Sequence, residues 1–306
     1  MISRQHRMLE PTVRKITKQK GAKNEYTPKT ASYSLLLHVQ RNFTCVMNHP
    51  EREDHEGRTA TARSTYVLNR TDAELYRWQA VADAHELQRV AISTLLASAE
   101  QAIHERGQFH IVLAGGNTPR EIYRGLSTAK TDWSAWHIYF SDERCLPPLD
   151  AARNSRMAAA VWLDNVPIPA LQLHVIAGEL GANEAAQQYS VMLRTIGDFD
   201  LVLLGLGEDG HTASLFPGHD WGTAPGSADA LAVFDAPKPP PRRVSLSAAR
   251  LSRARRVIFL VSGESKRWAV EAWRAGKDIP ARAIRPAAGV DVLVESALLS
   301  PLVVPK

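Results

Sequence analysis

Apolar residues recur at steps of three, four and seven from Asp83 onward. Leu87, Val90, Ala91, Leu95, Ala99, Ala102 and Ile103 share one face, which predicts a long amphipathic helix ended by Gly107. The short apolar run Phe109 to Ala114 follows, closed by Gly115 and Gly116, and Thr118, Pro119, Arg120 and Glu121 open a new helix. The same alternation returns along the chain. His137 to Phe140 reads as a strand, Glu184 to Ile196 as a helix, and Phe199 to Leu206 and Val257 to Val261 as strands; Lys266 to Ala275 is a further helix and Val290 to Val294 a last strand. Short apolar strands alternating with helices must be covered on both sides. The pattern therefore predicts an α/β fold with an open, mostly parallel, Rossmann-like sheet and helices on both faces. Asp235 to Pro241, with four prolines, is a rigid surface connection.

Residues 1–65 lack this periodicity. They are rich in Lys, Arg, Thr and Asn and contain the charged string Glu51, Arg52, Glu53, Asp54, His55, Glu56. They are read as a basic, mostly disordered leader, with the folded domain over residues 66–306. A regulatory tail and a start codon assigned too far upstream both agree with this. The leader also accounts for the charge: the formal net charge is +5, but residues 1–65 hold 12 of the 37 Lys and Arg and 6 of the 32 Asp and Glu, so the remainder is near neutral. Nucleic acid is thereby disfavoured as a partner, because phosphate-backbone affinity needs cations clustered on a folded face or a dedicated arm. No apolar run approaches the roughly 18 to 20 residues that span a bilayer. No apolar segment follows Arg4, Arg7, Arg14 and Lys15 as a secretory signal requires. Cys45 and Cys145 sit in unrelated contexts that suggest neither a disulfide framework nor a zinc site. A cytoplasmic protein with no membrane partner is the expectation, with an organelle transit peptide as the weaker alternative.

Three blocks carry chemistry, each after a predicted strand, at the carboxyl edge where open α/β sheets bind ligands. In the first, Gly115, Gly116, Asn117 and Thr118 turn backbone N–H groups and a helix dipole toward an anion, with Thr118 as N-cap and Pro119 at the first helical position. A strand-to-helix turn needs the same residues for purely structural reasons. The loop has neither the third glycine of a dinucleotide fingerprint nor the ending of a P-loop, so no nucleotide cofactor is expected. In the second block, Ser141, Asp142, Glu143 and Arg144, the guanidinium can hold a phosphate or carboxylate by a forked pair of hydrogen bonds, and the acids can accept sugar hydroxyls or orient a base. A solvated, self-neutralised turn is the plainer alternative. In the third, Gly205, Gly207 and Gly210 form a sharp turn that brings His211 to a strand end, at or near the start of the next helix and beside Asp209. An imidazole that is neutral at working pH can accept a proton there. Arg243, leading into the strand-like Val244, Ser245 and Leu246, and Lys266, which opens the final amphipathic helix after Gly263, Glu264 and Ser265, are further candidate phosphate-binding cations. His137, His174 and His219 lack the paired spacing of metal ligands, and no metal is expected.

As an ordered set, these blocks resemble the 6-phosphogluconolactonase family. The resemblance rests on the Gly115 to Pro119 turn, the Asp142-Glu143-Arg144 block, Asn154 shortly after it, and Gly-x-Gly-x-Asp-Gly-His-Thr-Ala-Ser-Leu-Phe-Pro over Gly205 to Pro217; Arg243 and the Gly263 to Lys266 turn extend it. It covers about residues 70 to 300, departing at Ala114 and Arg153, where the family commonly has serine. It implies a glucosamine-6-phosphate-deaminase-like fold. It also implies cofactor-free hydrolysis of 6-phospho-D-glucono-1,5-lactone in the oxidative pentose phosphate route by a monomer or weak homo-oligomer whose partner is that small molecule. The roles it implies are catalysis by His211 with Asp209, and binding by Gly115, Gly116, Asn117, Thr118, Asp142, Glu143, Arg144, Arg243 and Lys266, with Arg144 open between phosphate and oxyanion. The deaminase branch is expected to follow its histidine with Phe-Asn-Glu-Pro, whereas Leu215, Phe216, Pro217 and Gly218 here supply no acid. A sugar-phosphate sensor is the reading from another class, and retention of His211 and Asp209 speaks against it.

Overall fold

The computed structural model describes residues 71–300 apart from position 225. The chain divides into two units, Met1–Ser64 and Thr65–Lys306. All described residues belong to the second, so the expectation of a disordered leader over 1–65 lies outside them. In chain order the elements are α1 (Asp72–Leu75), β1 (Tyr76–Val81), α2 (Ala84–Arg106), β2 (Phe109–Leu113), α3 (Asn117–Leu126), β3 (Trp136–Phe140), β4 (Asp142–Arg144), α4 (Asn154–Val161), α5 (Ala182–Leu193), β5 (Leu201–Gly205), β6 (Ala230–Val233), β7 (Arg243–Leu246), α6 (Ala248–Ser252), β8 (Val257–Val261), α7 (Arg267–Arg274) and β9 (Val290–Glu295).

Six strands form one sheet in the order β1-β9-β8-β5-β2-β3, with every neighbouring pair parallel. The steps β1–α2–β2 and β2–α3–β3 run toward the β3 edge, whereas β5–α6–β8 and β8–α7–β9 run back. Right-handed crossovers therefore place α2 and α3 on one face and α6 and α7 on the other. The Gln88 side chain accordingly reaches from α2 to the Glu121 carbonyl on α3 at 2.9 Å. The direction of winding reverses between β2 and β5, so the crevice outside their carboxyl ends is the topological switch point, the preferred ligand position in such sheets.

Local sequence explains the elements that carry this frame. Asp83 caps α2 by accepting the Glu86 N–H at 2.9 Å, and Gly107 ends it at φ +77°. Leu87, Ala91, Leu95, Ala99 and Ala102 are the buried stripe, with Val90 and Ile103 partly covered beside it. All five residues of β8 are buried, as a central strand covered on both sides requires. β1 was not foreseen because it is an edge strand whose burial is confined to Tyr76 and Val81, leaving no apolar run.

A second sheet, β4-β7-β6, is antiparallel; β7 agrees with the strand-like Val244 to Leu246, whereas β4, β6 and their pairing were not anticipated. It turns the Asp142 to Arg144 block from the expected turn into a strand. Its members are three or four residues long, too short to give a readable period.

Candidate functional site

The Gly207 to His211 turn leaves the end of β5 at the switch point. Gly207 donates its N–H to the His211 carbonyl at 2.7 Å, and Gly210 donates to the Gly207 carbonyl at 3.1 Å. Gly210 has φ +84°, and a Cβ there would lie 2.8 Å from Ile279, so the turn needs glycine twice over. No helix follows, contrary to the expectation for His211. The Thr212 hydroxyl donates to the Gly205 carbonyl and the Ser214 N–H to the Ser245 hydroxyl, so groups that would start a helix are committed to tertiary partners.

Asp209 accepts both the backbone N–H and the Nδ1–H of His211 through Oδ1. This assigns the ring proton to Nδ1 and leaves Nε2 with a lone pair and no hydrogen bond among the described residues. Burial pushes the imidazole below its ordinary pKa; the Asp209 charge opposes the shift without overcoming it. Burial alone would raise the Asp209 carboxyl, but the charge and hydrogen bonds of His211 hold it below the usual range. At neutral pH the pair is a neutral base on an ionised carboxylate. The Phe216 ring lies 4.8 Å from the imidazole, and Gly207 lies beneath it.

The loop after β2 flanks the other side of the switch point. The fully buried Tyr123 hydroxyl ties it down, accepting from the Ala114 N–H at 3.0 Å and donating to the Ala114 carbonyl at 2.9 Å. The N-cap of α3 is Gly116 at φ +105°, with no side-chain cap, so Thr118 and Pro119 are the second and third helical residues and not the cap and first. The amides of Gly116, Asn117 and Thr118 therefore carry no intramolecular hydrogen bond among the described residues. These are the open donors of an anion-binding helix start.

Asp142, buried at the head of β4, accepts from the Ser214 hydroxyl at 2.6 Å and from the Asn154 side-chain amide at 2.9 Å. Asn154 in turn lies against Gly115, where a Cβ would come within 2.1 Å of its Oδ1. One buried polar chain thus links the start of α4, β4 and the segment after His211, and Asn154 packs it against the loop after β2. Glu143 points elsewhere: its fully buried carboxylate accepts the backbone N–H groups of Asn154 and Ser155 at 2.7 and 2.9 Å, capping α4.

Arg144 and Arg243 are directly opposed in the β4–β7 register. Opposed like charges destabilise a strand pair. Asp142, on the same face, offsets one of them, leaving a positive spot suited to an anion. Arg144 donates Nη1–H to the Ala152 carbonyl, while its buried Nε has no partner. Arg243 is buried, with Nε donating to the Pro240 carbonyl and Nη2 to those of Lys238 and Pro239. Lys266, in the single turn Glu264–Lys266, lies within electrostatic reach of Asp209; burial and neighbouring Lys238 lower its pKa, against Glu208 and Asp209.

The predicted residues thus gather around β2, β5 and the β4–β7 pair, except that Glu143 supports from behind. Sequence reasoning missed Ser214, Ser245, Lys238 and Glu208. The Lys between prolines was the available signal for the third, and the remaining three sat inside or opposite motif blocks with no distinguishing pattern. His137 and His174, far apart in sequence, meet with ring nitrogens at 3.4 Å. No group of three or more His, Cys, Asp or Glu is arranged to hold a metal among the described residues, and none of their helices is long and apolar enough to cross a membrane. A cavity of about 530 Å³ at the opposite, amino-terminal edge of the sheet contains none of the predicted site residues; its charges are paired internally, Asp291 with Arg77 and Arg256, and Asp200 with Arg106 and Arg255.

A parallel α/β sheet with an imidazole–carboxylate pair and surrounding cations at its switch point is an arrangement suited to proton transfer on an anionic ligand. Comparison with known proteins agrees. Residues 82–293 match the family described as glucosamine-6-phosphate isomerases/6-phosphogluconolactonase, and the chain belongs to that family. The 6-phosphogluconolactonase of Synechocystis sp. is 38% identical over 204 residues, 61% of this chain and 81% of the relative. That of Mycobacterium tuberculosis is 38% identical over 210 residues, 64% of this chain and 85% of the relative. The crystal structure of 6-phosphogluconolactonase from Thermotoga maritima is similar at a TM-score of 0.67 with 26% identity, covering 72% of this chain and all (100%) of that one. These relatives bear the name of a lactone hydrolase.

Proposed function

We propose that the chain is a 6-phosphogluconolactonase that hydrolyses 6-phospho-D-glucono-1,5-lactone to 6-phospho-D-gluconate, with His211 as the proton-transfer residue, and that it does so in the cytoplasm as a step of the oxidative pentose phosphate route. The observation that carries the mechanism is the Asp209–His211 pair, in which Nδ1 is engaged and Nε2 is left as a base. Nε2 takes a proton from water as the oxygen attacks C1 of the lactone. The imidazolium then returns that proton to the ring oxygen as the tetrahedral intermediate opens, so the ester C–O bond breaks and the proton count closes. General acid/base transfer of this kind is worth about 100- to 10,000-fold. Asp209 holds the tautomer and stabilises the imidazolium.

The phosphate is assigned to the cationic surroundings: the open amides of Gly116, Asn117 and Thr118 beside Gly115, with Arg144, Arg243 and Lys266. Binding energy remote from the ester then positions C1 against the base. Asp142, held by Ser214 and Asn154, is assigned to sugar hydroxyls, and Glu143 to holding α4 and Asn154 in place. The lactonase branch is favoured over the deaminase branch by the absence of an acid among Leu215, Phe216, Pro217 and Gly218. The test is loss of freshly generated lactone by purified protein against a no-enzyme control, with ammonia release from glucosamine 6-phosphate measured in parallel. Acceleration of the first without the second is expected; the converse would assign the chain to the deaminase branch.

A further inference from the structure

The proline-rich segment between β6 and β7 was expected only as a rigid connection, yet it reaches the site. Its shape is set from inside: Arg243 spends Nε and Nη2 on three consecutive carbonyls, those of Pro240, Pro239 and Lys238, at 3.0, 3.3 and 2.8 Å. The Arg243 guanidinium also lies 5.6 Å from the centre of the Phe216 ring, which packs against His211 as well. One buried arginine thus couples the segment to the aromatic wall of the catalytic turn. Within Asp235 to Pro241 the cation is Lys238, and its Nζ pairs with Glu208 Oε1 at 2.8 Å, next to Asp209.

That pair is half-exposed on both sides, 46% and 55%, so water screens it and little is lost when it breaks. Around this one carboxylate stand two ammonium groups, Lys238 and Lys266, each interacting electrostatically with Glu208. A phosphate dianion offers more charge and more acceptor oxygens than Glu208, and is the better partner for both.

Building on the lactonase reading, we propose that Lys238 is a substrate-phosphate ligand, held by Glu208 in the empty site and transferred to the phosphate on binding, while Arg243, beside its place in the phosphate's cationic surroundings, fixes the Lys238 loop. This removes the difficulty that two of Arg243's nitrogens are committed to backbone carbonyls. It also supplies the flexible point charge that a phosphate entering from solvent can capture.

The test is steady-state kinetics of the full chain and of K238Q, with inorganic phosphate as competing probe and no-enzyme rates subtracted. Loss of one charge-assisted contact made equally in ground and transition states is expected to raise KM on the order of tenfold with kcat within about twofold, and to raise the inhibition constant of phosphate by a similar factor. K238R is expected to recover most of the affinity. Wild-type KM and phosphate inhibition in K238Q would overturn the assignment, as would a fall in kcat with KM and phosphate affinity unchanged. Wild-type protein that does not accelerate lactone loss would instead remove the lactonase reading, and phosphate binding to the two proteins, measured calorimetrically, would still decide the role of Lys238.

Discussion

Gly207→Ala separates the position of the catalytic ring from its chemistry. A Cβ at this position would stand 2.0 Å from His211 Nδ1 and 2.2 Å from Cε1, against an ordinary contact of 3.4 Å or more. The imidazole must therefore retreat by about 1.4 Å or rotate out of its bond with Asp209. Gly207 is not among the residues with positive φ, so alanine is conformationally permitted, and the three nearest atoms it would meet all belong to the His211 ring. A displacement of about 1 Å at a reacting group costs on the order of 100-fold, and complete loss of general acid/base transfer costs up to about 10,000-fold. The expected fall in kcat/KM is thus roughly 100- to 10,000-fold, about 2.7 to 5.4 kcal/mol in the barrier. Gly205→Ala, two residues earlier, is the control: nothing lies within 4 Å of its Cβ. It should keep its rate and gain or lose less than about 1 kcal/mol of stability. Lactone hydrolysis with a no-enzyme blank gives the rates, and thermal melting verifies folding. A folded Gly207→Ala protein working within about threefold of wild type would refute the placement of His211 as base, since about 1.36 kcal/mol per tenfold leaves no room for a displaced base at that rate.

Other expectations follow from the same geometry. Because burial holds the His211 pKa below its ordinary value, kcat/KM should stay level as pH falls through 6.5 and drop only at more acidic pH; an acid limb centred above 6.5 would contradict this. Ser214→Ala removes a 2.6 Å donor from the buried Asp142 carboxylate and should cost roughly 1.5 to 3 kcal/mol in urea unfolding; an unchanged midpoint would show that Asp142 does not depend on it. Burial, then the neighbouring His137, His174 and Arg250, lower His110 to about 4, so the unfolded chain takes up that proton first as pH falls. Its contribution is fully present above about 6.5 and lost progressively toward pH 4. Thermal stability should decline across that window, less steeply in His110→Phe, and equal slopes in the two proteins would count against it.

The parallel frame was legible because its signals are local: a seven-residue apolar stripe makes α2, and continuous apolar runs make β2, β3, β5 and β8. The site was legible in part for the same reason. Glycine turns after β2 and β5 announce themselves, and adjacency of those two strands brings Gly115 and His211 together. What escaped depends on contacts distant in sequence. Asp142 meets Ser214 across 72 positions, and the three- and four-residue strands of the second sheet owe their pairing to where β3 delivers the chain. Glu143 reads as a site acid in sequence because it adjoins Asp142 and Arg144, yet strand alternation sends it to the opposite face, under α4. The segment Asp235 to Pro241 reads as a spacer until Arg243 is seen gathering its carbonyls.

The central claim is that a neutral imidazole at residue 211 delivers water to a phosphorylated lactone. It is tested most directly by following the disappearance of fresh 6-phosphogluconolactone with wild type, with His211→Ala and without enzyme, while binding of 6-phosphogluconate to both proteins is measured. Acceleration by wild type alone, with product binding retained in the variant, is the expected result. Equal rates in wild type and His211→Ala, or wild type indistinguishable from the blank while binding 6-phosphogluconate, would contradict it.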